Sequence, residues 1–194
     1  MTTPRRDLLV WMDLEMTGLD PERDSILEIA TLVTDNELNI VAEGPVLAIY
    51  QPDEVLASMD NWNLEHHTKS GLLQRCRASH VSLRDAEERT LAFVRTYCEP
   101  RSAPLCGNSV WQDRRFLARY MRELEHYLHY RIIDVSTIKE LVRRWYAAGP
   151  SPPQKRKAHL ALSDLLESIE ELRFYRAHYF RSPKALTPDE GQQL

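Results

Sequence analysis

The sequence has no long apolar run. Its most apolar stretches are short, such as Leu8-Leu9-Val10-Trp11-Met12, far below the ~20 residues that a membrane-spanning helix needs. The first residues, Met1-Thr2-Thr3-Pro4-Arg5-Arg6-Asp7, lead straight into a strand pattern. They lack the apolar stretch and small-residue cleavage site of a secretory signal, so a cytoplasmic location is expected. Cysteines are scarce: Cys76, Cys98 and Cys106 are odd in number and far apart, with no C-x-x-C pair. That argues against a thiolate zinc site and a disulfide framework, and for reduced thiols in or near the core. With Gly 6 and Pro 11, the chain is not of low complexity. No repeat recurs at 20–50-residue spacing. An excess of positive charge is also missing. The 25 basic and 29 acidic residues leave a net charge of −4, which argues against a broad basic surface for long or double-stranded nucleic acid. A small local basic patch stays possible.

What is present is enough for one core. At 194 residues the chain reads as a single domain over 1–182 with a frayed tail at 183–194. Leu8 to Asp13 is a buried strand ending in an acid. Ile26 to Thr34 is a second strand, and Ile40 to Tyr50 supplies one or two more, interrupted near Gly44-Pro45. Joined by short turns, these form an antiparallel meander. The apolar period then changes. Ser82 caps a helix carrying Leu83, Ala86, Thr90, Leu91, Val94 and Tyr97, which ends by Pro100. Pro104 to Asn108 is a short strand and turn. A helix with Phe116, Leu117, Tyr120, Met121 and Leu124 on one face follows, then a fifth strand, Arg131 to Asp134. Thr137 to Glu140 caps the next helix, which ends by Gly149-Pro150. A proline-rich, then basic loop precedes the last helix, from about Ala158 to Arg181, with Leu162, Leu165, Leu166, Ile169 and Leu172 inward. This order predicts an α/β fold: a mixed sheet with helices on both faces.

Three sets of residues sit badly in a purely structural role. Asp13 and Glu15 end an otherwise apolar strand, and residues i and i+2 share a face. Converging carboxylates raise each other's proton affinity unless cations neutralise them, and Mg²⁺ or Mn²⁺ suits such oxygen donors. A D-x-E pair alone is also what a strand end splaying into solvent looks like. Asp113 follows the Leu105–Asn108 strand and turn, where α/β sheets place their sites; a first-turn aspartate is equally a common partner of the helix dipole. His159 stands beside the basic loop, and Asp164 lies in the last, amphipathic helix. Together, four carboxylates and one histidine fit a two-metal phosphodiesterase, in which two cations about 3.5–4 Å apart clamp an in-line displacement at phosphorus. Histidine is the side chain that can take a proton from water near neutral pH.

These motifs carry a resemblance over about Asp7 to Arg181. The stretches Trp11-Met12-Asp13-Leu14-Glu15-Met16-Thr17-Gly18-Leu19, Cys106 to Leu117 and His159 to Asp164 resemble the oligoribonuclease family of the DEDDh exonuclease superfamily. Trp62 to Thr68, Asn108-Ser109 and Tyr130-Arg131 narrow the likeness to that family. The resemblance implies an RNase H-like (DnaQ-like exonuclease) fold with a five-stranded mixed sheet. It implies 3′-to-5′ hydrolysis of very short RNAs, especially 5′-phosphorylated dinucleotides, to nucleoside 5′-monophosphates. By the same likeness Asp13, Glu15, Asp113 and Asp164 hold two divalent cations, Mg²⁺ or Mn²⁺, and His159 is the general base. Leu19 is an apolar wedge between the bases; Thr17, Trp62 and His67 line the substrate pocket; Ser109 and Ser136 hold the 5′-phosphate end. Tyr130 and Arg131 reach into the neighbouring site of a homodimer. Trp111 stands where the family often has a smaller residue, and the 149–157 loop matches poorly.

The competing readings are a proofreading or general single-strand DNA exonuclease of the same superfamily, and a non-catalytic domain on this fold. The first needs neither Tyr130-Arg131 from a partner nor a sealed phosphate pocket. The second predicts the loss of at least one of the five catalytic residues, and all five are present.

Overall fold

In the computed structural model, residues 3–152 and 161–180 are described. Strand β1 (Leu8–Met16) is buried almost throughout because it lies in the middle of the sheet. It runs antiparallel to β2 (Ile26–Asp35), which pairs antiparallel with β3 (Ile40–Ala48). On its other side β1 runs parallel to β4 (Pro104–Gly107), and β4 parallel to β5 (His129–Asp134). The order β3-β2-β1-β4-β5 is the expected mixed five-stranded sheet.

The pleat of β1 splits the core in two. Leu8, Val10, Met12 and Leu14 face one layer, with α4 (Leu83–Tyr97), α5 (Val110–Tyr120) and α6 (Arg122–Tyr127) over them. Leu9 and Trp11 face the other, under α7 (Val135–Trp145) and α8 (Ala161–Tyr179). Helices thus cover both faces. The segment between β3 and α4, left unassigned from sequence, forms three short helices: α1 (Asp53–Ala57), α2 (Asn61–Lys69) and α3 (Leu72–Ala78). Their apolar residues, such as Leu56, Leu72 and Leu73, fill a third small core against Leu27. None of these helices is long enough to show a helical period.

Four expectations need correction. Gly44-Pro45 does not interrupt β3; the strand runs through it with a shift of register opposite Ala30–Leu32. As an edge strand β3 tolerates proline's missing N–H, and a Cβ at Gly44 would come within 2.6 Å of the Phe93 ring. The single helix expected after β4 is two, broken at Met121 (φ −132°, ψ 60°). The helix after β5 is capped not at Thr137–Glu140 but by Asp134, whose carboxylate accepts from the Ser136 N–H at 2.9 Å. The last strand begins at His129, two residues before the expected start. The Ser82 cap stands as expected, closed into a reciprocal pair with Asp85. Cys76, Cys98 and Cys106 are buried free thiols. Among the described residues no helix is long and apolar enough to cross a membrane. The expected tail at 183–194 and the start of the last helix near Ala158 lie outside the described residues.

Candidate active site

The site forms where β4 stops accompanying β1. Their pairing covers only Val10–Leu105 and Trp11–Cys106, so the end of β1 continues past it. Asp13 and Glu15 fall on the α8 side of the pleat, continuing the row of Leu9 and Trp11. The first turn of α8 brings Asp164 onto that same face. One oxygen from each of Asp13, Glu15 and Asp164 lies within 4.8 Å of the others. The convergence expected of residues i and i+2 is therefore present, and α8 adds a third acid to it.

Asp113 arrives from the opposite layer. It is buried in the first turn of α5, and its Oδ1 accepts from the Leu14 N–H at 2.9 Å. It stands beside the three-oxygen cluster rather than within it. Gly107 lets the end of β4 lie close against β1: a Cβ there would sit 2.9 Å from the Met12 carbonyl.

The electrostatics follow from the packing. Burial, then the charges of Asp164, Glu28 and Asp113, push the Glu15 carboxyl up to about 8. Burial lifts Asp113 to about 7, against the opposing pull of the Leu14 N–H. Such a set of hard oxygen donors, two of them held protonated near neutral pH by burial and by neighbouring acids, fits divalent cations of the Mg²⁺ or Mn²⁺ class.

The rim residues are placed by several elements. Helix α2 buries His67, whose Nε2 lies 3.0 Å from the Met16 carbonyl and whose Nδ1 lies 3.8 Å from Glu15 Oε2. One turn earlier Trp62 is exposed and stacks on His66, 4.7 Å between ring centres. Thr17 is buried, its hydroxyl donating to Asp24 and accepting from the Ser25 N–H. Leu19, 69% exposed, projects from the turn after β1. Ser109, at a left-handed φ of 52°, precedes α5. Its hydroxyl lies 3.1 Å from that of Ser136, and both residues' N–H groups donate to Asp134. The two serines expected to act together therefore touch. Tyr130 and Arg131 stand exposed on the edge strand β5, the guanidinium 5.4 Å over the phenol ring. His159 lies outside the described residues.

Several site residues were not foreseen. Glu28 pairs with Glu15 across β1 and β2, and its buried carboxylate is held by Arg75 at 2.9 Å. The signal was available, since Glu28 is a single acid inside the apolar run ILEIATLVT. Asp134, the link between Ser109 and Ser136, also ends a strand. Gln112 had no sequence signal; only the fold brings it to Leu19.

Comparison with known proteins bears on the family and the fold. The RNase T family model, described as "Exonuclease", matches residues 10–172. Oligoribonucleases of Shewanella putrefaciens and Pseudomonas aeruginosa are 58% and 57% identical over 173 residues, covering 89% of this chain and 96% of theirs. Among solved structures, exonuclease I of Methylocaldum szegediense matches with a TM-score of 0.66 at 21% identity, over 91% of this chain and 41% of its own. E. coli exonuclease I in complex with an oligonucleotide matches with a TM-score of 0.70 at 15% identity, over 93% of this chain and 42% of its own. At that identity the structural likeness shows a shared fold. The sequence likeness goes further: with its carboxylates at the end of β1, the chain belongs to the oligoribonuclease family of exonucleases.

Proposed function

We propose that this protein hydrolyses very short RNAs, above all 5′-phosphorylated dinucleotides, from the 3′ end to nucleoside 5′-monophosphates. The observation that carries the reading is the meeting of Asp13, Glu15 and Asp164 within 4.8 Å, with buried Asp113 alongside. In this reading these four residues hold two divalent cations. Bound there, the cations would supply charge compensation at the scissile phosphate and would make the attacking water more acidic.

The chain's own residues do the rest. His159 takes the proton of the attacking water. Leu19 enters between the two bases, and Trp62 offers an exposed ring for stacking, which is tolerant of base identity. His67, fixed on the Met16 carbonyl, and Thr17 shape the pocket wall. Ser109 and Ser136 receive the 5′-phosphate. Their hydroxyls are paired and their N–H groups tied to Asp134, so the pocket is ordered before substrate enters. A homodimer would bring Tyr130 and Arg131 from the second subunit, the guanidinium offering a planar fork for phosphate. A closed end at the 5′-phosphate excludes longer chains sterically. The net charge of −4 suits a substrate with so few phosphates. A cytoplasmic setting accords with the three free thiols.

The decisive experiment is a product profile on 5′-labelled RNAs of two to seven nucleotides, beside a long single-stranded DNA. Fastest turnover of the dinucleotide is expected, with none in excess chelator or in Asp13→Ala. Equal or faster turnover of long DNA would replace this reading with that of a general exonuclease.

A further inference from the structure

We propose that Gln112, backed by Arg115 and Trp111, is the positioning residue that fixes Leu19 against the bases of a bound dinucleotide. The proposal rests on the reading of Leu19 as a wedge and names what makes the wedge rigid.

An apolar side chain that is 69% exposed gains nothing from its surroundings. It can separate two bases only if its backbone does not yield, since each mobile group ordered on binding costs affinity. The Leu19 carbonyl is gripped from α5. The buried Gln112 amide donates to it through Nε2. Arg115 NH1 donates to Gln112 Oε1 at 2.8 Å and reaches the same Leu19 carbonyl at 3.5 Å. The arginine thereby fixes which end of the amide faces Leu19. Its guanidinium lies 5.7 Å over the Trp111 ring, which gives this exposed tryptophan a role as a lid on the arginine.

The rest of the turn is held independently. Asp24 accepts from the Thr17 hydroxyl and the Asp20 N–H. Tyr120 OH donates to the Pro21 and Asp24 carbonyls. Losing the Gln112 amide therefore leaves the tip held only by the long Arg115 contact, while the turn stays in place. Gln112 also precedes Asp113, which holds the Leu14 N–H. Two adjacent residues of one helix thus set the wedge and an acid of the site on a common support.

The test uses Gln112→Met and Gln112→Glu, each near the native volume and neither able to donate to Leu19. The glutamate keeps the Arg115 contact. The probe is a 5′-phosphorylated dinucleotide containing 2-aminopurine, whose fluorescence rises when its bases unstack; it is read on Asp13→Ala chains, because cleavage itself would also unstack the bases. Both variants should raise KM roughly five- to thirtyfold, as for the loss of a buried hydrogen bond. They should leave kcat within about threefold, blunt the fluorescence rise and melt within a few degrees of the native chain. In a Leu19→Ala background the same substitutions should add less than about twofold. Wild-type KM and fluorescence in both variants would overturn the proposal, as would an undiminished effect in the Leu19→Ala background. A large fall in melting temperature with equal loss of kcat would also overturn it, making Gln112 a structural residue. Leu19→Ala alone that unstacks the probe normally would refute the wedge reading, and the proposal with it.

Discussion

Removing cations should invert the pH dependence of this protein's stability around Glu15. In the folded chain its carboxyl is pushed up to about 8, against an ordinary value of 4.5. Between those values the native state holds a proton that the unfolded chain has released. Stability is then fully present below about pH 4.5 and is lost as pH rises toward 8. At about 1.4 kcal/mol for each tenfold change, the loss is on the order of 4–5 kcal/mol for Glu15 alone. For a domain of this size that lowers the melting temperature by roughly 10 °C or more. The assay is thermal unfolding in chelator between pH 5 and 8, comparing the native chain with Glu15→Gln, which cannot ionise. Asp113, lifted to about 7, destabilises both chains as pH rises, and the difference between the profiles reports Glu15 together with its coupling to the neighbouring acids. The native chain should lose more stability across the range than the glutamine variant, which keeps only the loss owed to Asp113. Cations that bind the ionised carboxylates stabilise the folded state by mass action, so added Mg²⁺ or Mn²⁺ should raise the native melting temperature more at pH 8 than at pH 5. Parallel profiles for the two chains, or a native chain more stable at pH 8 in chelator, would refute the argument.

Three further outcomes concern Arg75, His159 and the Tyr130-Arg131 pair. Replacing Arg75 by alanine leaves the buried Glu28 carboxylate uncompensated, which should cost about 3 kcal/mol in urea unfolding; adding Glu28→Gln should recover much of it. His159→Ala should reduce turnover by roughly 10²–10⁴-fold while dinucleotide binding persists, and an unchanged rate and pH profile would remove His159 from the chemistry. If Tyr130 and Arg131 act across a dimer, mixing inactive Asp113→Ala and Arg131→Ala chains under subunit exchange should restore activity toward about half the native level per mixed dimer. No recovery despite exchange verified by mass would place Arg131 in its own chain's site.

The long periodic elements were legible because their side chains report their surroundings. The unbroken apolar β1 announced a central strand, and Asp13 and Glu15 stood out against it. The opening helices α1 to α3 were not legible, since at five to nine residues they are too short to show a period. Nor was the break at Met121, which is a matter of backbone angles in a segment whose apolar spacing runs on into α6. The pairing of Ser109 with Ser136, and the distance of Asp113 from the other acids, depend on how two helices meet the sheet. Sequence separation hides both. Glu28 could have been noticed by the same logic that found Asp13, as a charge inside an apolar strand.

The acids of the site come from opposite ends of the described chain, Asp13 and Glu15 from its first strand and Asp164 from its last helix. A cation held among them would act as a removable staple that closes nearly the whole chain into one loop. A cross-link over so long a loop restricts the unfolded chain far more than one between neighbouring elements. Before α8 docks, the same three carboxylates cannot meet, so cation affinity would register whether the fold is finished. Catalytic competence and completed folding would then be acquired in a single event.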